Sequence, residues 1–135
     1  MCIRDSSAVD RDGNELAGIR LPVVTVPLAT HMGWNTRHAD MGGEGQTLST
    51  GGASGGTLKG SSIPFPATRQ EREATGDPRL SVEERYDSKE HYQDLVRKAA
   101  QDLIDQRYLL AEDLEGMVSL GGRHYDLLTS TAVET

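Results

Sequence analysis

The chain has 135 residues, with 21 acidic against 14 basic side chains and a formal net charge of -7. Leu, Ile, Val and Phe make up 27 of the 135 residues, a fraction at which charged chains begin to lack the apolar surface for a packed core, which argues against a large autonomous enzyme. The acid excess, with no basic stripe among aromatics, argues against nucleic acid as a partner, and no apolar run approaches the ~18 residues of a membrane span.

The opening Met1-Cys2-Ile3-Arg4-Asp5-Ser6 resembles the translation of a transposon adapter from sequencing-library preparation, read through in a metagenomic contig. Residues 1–6 are therefore set aside as a scar, and the natural protein is expected to begin upstream of Ser7. Cys2, the one cysteine, then says nothing of redox compartment. The compartment stays open, since the first residues also lack the apolar core of a signal peptide.

Three parts follow: 7–35, a turn and an edge strand; 36–67, a Gly/Pro-rich loop; and 68–128, helices, with 129–135 as a tail. In the first, Asp12-Gly13-Asn14 supplies the positive φ angles of a tight reversal. Residues 19–30 are rich in β-branched side chains, but Pro22 and Pro27 cannot donate to a ladder, so they read as an irregular edge strand. Nothing later in the chain offers good strands beside it, and its partners are expected in missing upstream sequence.

The second part is a long loop, with eight of the chain's 15 glycines between Gly42 and Gly60. It closes at Ile63-Pro64-Phe65-Pro66, an extended apolar clip whose Phe65 is expected to plug into the body of a larger fold. In the third, Thr68-Arg69-Gln70-Glu71 and Ser81-Val82-Glu83-Glu84 are capping boxes of two short helices, the first stopped at Gly76. From Asp87 or Ser88 to about Arg107, Tyr92, Leu95, Val96, Ala99, Ala100, Leu103 and Ile104 recur at helical spacing as one apolar stripe, with Arg107 complementing the dipole in the last turn. A final helix, about 111–128, is weakened by Gly116, Gly121 and Gly122. Two stripes do not close a core, so other sequence is expected to cover the rest.

Candidate sites are few. Gly52-Ala53-Ser54-Gly55-Gly56 fits the G-x-S-x-G pattern of a hydrolase nucleophile, but that elbow needs an apolar strand before Ser54 and a helix behind it, and neither pattern is present. Ser54 reads as a loop serine. His31, His38, His91 and His124 lack metal-ligand spacing. His38 near Asp40 reads as solvated, and His91 and His124 as surface or boundary residues. His31, close to Trp34 at a strand end, is the one histidine placed where a site could form, and even it reads first as structural. Asp94, Asp102, Asp105, Glu112, Asp113 and Glu115 read as a solvated helix face. The glycine tract lacks a phosphate-cradle spacing, with Lys59 misplaced for one.

Taken in order, several blocks carry a resemblance: Val9-Asp10-Arg11-Asp12-Gly13-Asn14-Glu15, Gly18-Ile19-Arg20-Leu21-Pro22, Val26-Pro27-Leu28-Ala29-Thr30 and Gly33-Trp34-Asn35. Ile63-Pro64-Phe65-Pro66, Thr68-Arg69-Gln70-Glu71-Arg72, Gly76-Asp77-Pro78-Arg79, Ser81 with Glu83-Glu84-Arg85-Tyr86, and Arg107-Tyr108-Leu109-Leu110 with Glu112-Asp113 continue it. Over about 8–128 the chain resembles the C-terminal region of a large bacterial family of uncharacterised α/β-hydrolase-domain proteins. The resemblance implies a fragment of an α/β-hydrolase-like fold, with a Ser nucleophile, His and acid acting on an ester or similar acyl bond. It puts the nucleophile upstream of this chain and carries over no catalytic, cofactor-binding or metal-binding residue. Relatives often have another residue at the place of His31. The implied partners are the missing N-terminal part of the same protein and an unidentified small-molecule substrate, with no cofactor, nucleic acid or membrane. The other reading is a non-enzymatic acidic helical interaction module with a disordered Gly-rich arm.

Overall fold

A computed structural model describes residues 8–33, 40 and 60–130. Residues 1–6, the G-x-S-x-G tract with Ser54, His38, Trp34, Lys59 and residues 131–135 lie outside the described residues.

The reversal forms where the sequence asks for it. Gly13 takes φ 83°, its N–H donates to the Asp10 carbonyl at 3.0 Å, and Val9 bridges Glu15 across the turn. The expected strand over 19–30 does not form as such. Pro22 opens a one-turn helix, α1 (Pro22–Thr25), because a proline at the first helical position has its φ already set and its missing N–H is one the helix start would leave unpaired. Only β1 (Ala29–Met32) is extended.

Its partner is within the chain. β2 (Ser61–Pro64), read from sequence as part of the loop and of an apolar clip, pairs antiparallel with β1, Ala29 facing Pro64 and His31 facing Ser62. Together they form a two-stranded sheet. Phe65 adds one more bond, its N–H donating to the Leu28 carbonyl at 2.9 Å, and then buries its ring almost completely. The plug thus enters this chain's own core.

α2 (Arg69–Thr75) is capped by Thr68, whose hydroxyl accepts from Glu71 N–H, and ends at Gly76 with φ 68°. The return half of its capping box is displaced by one residue: the Glu71 carboxylate accepts from Ala67 N–H, at 2.9 Å. At α3 (Val82–Arg85) both halves of the Ser81–Glu84 box are closed. α4 (Lys89–Asp105) starts from Ser88 and buries Tyr92, Val96, Ala100 and Leu103. It stops before Arg107, which lies past the helix at φ 64°. Arg107 N–H donates to the Ile104 carbonyl and Tyr108 N–H to the Leu103 carbonyl, both at 2.9 Å. That is a Schellman closure with arginine where glycine is usual, so Arg107 terminates the helix rather than balancing its dipole. A 3-10 turn at Ala111–Asp113 leads into α5 (Leu114–Ser130), which runs two residues beyond the expected end.

The stripe on α4 finds its cover inside the chain. α5 and α1 both pack against α4, and Val26, Leu28, Phe65, Val82, Tyr86, Tyr92, Val96 and Val118 form one buried cluster, flanked by Leu95, Ala99, Tyr125 and Leu128. The edge of Tyr86 meets the Tyr92 ring at 5.0 Å and 71°, a favoured aromatic geometry. Two helices alone do not close the core, as expected, but the third side comes from this chain, from Val26, Leu28 and the Phe65 ring, and not from upstream sequence. Gly121 and Gly122, expected only to weaken α5, are buried against α4: a Cβ on Gly121 would stand 3.4 Å from Tyr92 and Val96 side-chain atoms. Among the described residues, no helix is long and apolar enough to cross a membrane.

Candidate functional site

The polar organisation of the molecule centres on the reversal at 9–15. One Asp10 oxygen accepts from the backbone N–H of Asp12 at 2.9 Å and of Asn14 at 3.0 Å, the self-bonding that makes aspartate a turn former. Its other oxygen accepts from Arg20 at 2.7 Å. Asn14, fully buried, acts as an added piece of strand. Its amide nitrogen donates to the Ala29 carbonyl at 3.1 Å and its oxygen accepts from His31 N–H at 2.7 Å. One side chain thereby satisfies two groups on the open edge of β1.

Asp12 reaches the other way, into a buried pair with Arg85. The Arg85 guanidinium holds the Asp12 carboxyl below its usual range, against the opposing effect of burial. Arg85 also donates to the Leu80 carbonyl at 2.9 Å and lies 4.1 Å from the centre of the Phe65 ring. Arg79 stacks on the same ring at 5.1 Å and donates to Thr30 Oγ1 at 3.0 Å, the Ile63 carbonyl at 2.9 Å and the Pro64 carbonyl at 3.1 Å. Two arginines therefore clamp β1, β2 and the hairpin around one aromatic ring.

His31 sits on β1 with its Nδ1 2.8 Å from Ser62 Oγ across the sheet. Burial pushes its pKa down, a backbone hydrogen bond with Val23 opposes this, and the charge of His124 adds to the lowering. The ring is thus neutral at neutral pH. A Ser–His pair alone is not an activated nucleophile. Ser62 is exposed, and His31 has no carboxylate partner among the described residues, so the orienting acid of a triad is missing there.

The other sequence candidates are not brought together. Asp40 is exposed. His91 takes part in the start of α4, its Nδ1 accepting from Asp87 N–H at 3.3 Å. His124 is exposed and lines an almost wholly apolar cavity of about 220 Å³ with Leu21, Val23, Tyr92 and Leu120. Asp94, Asp102, Asp105, Glu112, Asp113 and Glu115 are all exposed, as expected of a solvated face. Glu115 pairs with Arg97 between α5 and α4. No group of three or more His, Cys, Asp and Glu among the described residues could hold a metal. Sequence reasoning missed Asn14, Arg20, Arg79 and Ser62 as a joined set. The Asp-Gly-Asn turn was the one local sign, because the other partners come from distant segments.

Residues 3–119 match the family model described as an alpha/beta hydrolase domain. The chain belongs to that family, and its described part contributes a mainly helical piece with a two-stranded antiparallel sheet. No curated protein and no solved structure matches it.

Proposed function

We propose that this chain is the C-terminal part of an α/β-hydrolase that cleaves an ester or similar acyl bond with a serine nucleophile, a histidine and an acid. The nucleophile belongs to a preceding segment, which is the chain's partner. The observation that carries this reading is the family match over residues 3–119. In it, the clamp of Arg79, Arg85 and Phe65 is scaffolding, and the chain alone does not turn over substrate.

The test measures p-nitrophenyl acetate hydrolysis by the 135-residue chain and by the longer open reading frame that contains it. Activity in the longer protein and none above buffer in the chain supports the proposal. Hydrolysis by the chain that disappears in Ser54→Ala overturns it, as does an upstream stop codon next to Met1 with no adapter match in the DNA.

One observation favours the second reading, a self-standing helical interaction module: the α4 stripe is covered from within the chain, with Tyr92 and Val96 no more than 3% exposed. On that reading the chain gives a cooperative thermal melt and a helical spectrum by itself, and the longer reading frame shows no esterase activity.

A further inference from the structure

The cavity where α1, α4 and α5 meet is walled almost wholly by apolar atoms. It measures about 220 Å³ and is lined by Leu21, Val23, Tyr92, Val96, Met117 and Leu120.

Its floor is fixed. Tyr92 and Val96 are buried, and the Tyr92 ring packs on both Tyr86, at 5.0 Å, and Tyr125, at 5.4 Å. Gly121 of α5 shares this wall, and a Cβ there would already touch Tyr92 and Val96 at 3.4 Å. A glycine weakens the middle of a helix; here it leaves α5 without a side chain to fill the space. At the mouth stand Leu21 and Leu120, 46% and 40% exposed. Large apolar side chains held half in water gain when an apolar group covers them.

Size and polarity select what enters. Ordered water needs two to four polar partners, which this wall does not supply. A charged group would lose its hydration and meet no counter-charge. An apolar cavity of about 150 Å³ takes up benzene, so one of about 220 Å³ has room for a single ring with a short substituent. We propose that this cavity binds a compact uncharged hydrocarbon group, an aromatic ring or a branched alkyl of the same bulk, carried by a small molecule. Binding there needs no turnover, so the site stands whether or not the protein is a hydrolase.

The probe is benzene, titrated into the 135-residue chain labelled with ¹³C at its methyl groups. Saturable NMR shifts are expected at Leu21, Val23, Val96, Met117 and Leu120. None is expected at Leu110 and Leu127, which are exposed and outside the cavity wall. Val23→Phe, which puts a ring of its own into the space, weakens binding roughly tenfold or more, and benzoate and benzylammonium bind at least as much more weakly than benzene. The wild-type titration decides the matter if the variant fails to fold. Shifts that grow linearly without saturation, or equal shifts at Leu110 and Leu127, overturn the proposal. So does benzoate binding as tightly as benzene, or a folded Val23→Phe with unchanged affinity.

Discussion

Asp12, in the N-terminal reversal, and Arg85, at the end of α3, meet carboxylate to guanidinium although 73 positions separate them, with side chains only 9% and 7% exposed. The pair ties the hairpin to the helical half. Removing one member leaves a buried charge alone, which is far more damaging than losing a surface ion pair.

Asp12→Ala and Arg85→Ala are each expected to destabilise the chain by about 3 kcal/mol or more. Arg85→Ala costs more of the two, because it also strips the Phe65 ring of its stacked cation. Urea midpoints with an unchanged slope would show this; midpoints within error of wild type would remove the clamp from the account.

Acid should unfold the chain in a defined window. Arg72, with Ser81, holds the Glu84 carboxyl down from 4.5 to about 2, and Arg79 lowers Asp77 in the same sense, as Arg85 does Asp12. A depressed folded-state pKa means that the unfolded chain takes up protons first. The stabilisation is complete above the ordinary carboxylate range and lost as pH falls through the folded values. Thermal midpoints should therefore stay flat down to about pH 5 and drop between pH 4.5 and 2, with the Glu84 carboxyl titrating near 2 by NMR. In Arg72→Gln that midpoint moves up toward 4.5.

The glycines of α5 should divide by surroundings. A Cβ at Gly116 meets open space, one at Gly121 meets ordinary contact, and one at Gly122 would lie 2.5 Å from the Gln93 amide nitrogen. Gly116→Ala and Gly121→Ala should each stabilise by about 0.5–1 kcal/mol, the helix propensity of alanine over glycine. Gly122→Ala gains less than either, since Gln93 must give up its bond to the Val118 carbonyl. Equal gains at all three sites in thermal melts would contradict the close approach of α4 and α5.

Helix ends offer opposite signs. Ser81→Ala removes a buried cap whose hydroxyl accepts from Glu84 N–H and should cost about 1 kcal/mol. Arg107→Gly should stabilise by up to about 1 kcal/mol, since a glycine accepts φ 64° without the strain that a side chain brings there. Chemical denaturation of both variants checks the pair.

What could be read in the residues depended on range. The α4 stripe, the Ser81 and Ser88 caps, the stop at Gly76 and the reversal at Gly13 all arise from neighbours within a few positions, and spacing reveals them. β2 was hidden because Ser61–Pro64 has no alternating pattern and is largely exposed; its partner strand makes it a strand. α1 is hidden because Pro22 reads as a ladder breaker when it is a helix starter. The site residues were hardest. Arg20, Asn14, His31 and Ser62 converge only through the turn at 10–14 and the β1–β2 register, and one sequence displays neither. Gly121 and Gly122 read only as poor helix formers, because the helix that presses on them is invisible in their own segment.

The span from Asp12 to Arg85 also orders events in time. α4 and α5 adjoin each other in sequence and can close as a local hairpin, whereas the Asp12–Arg85 contact must close 73 residues of chain and repays that entropy only after both ends are shaped. The clamp is therefore expected to close late: in stopped-flow kinetics its loss should speed unfolding and leave the folding rate almost unchanged.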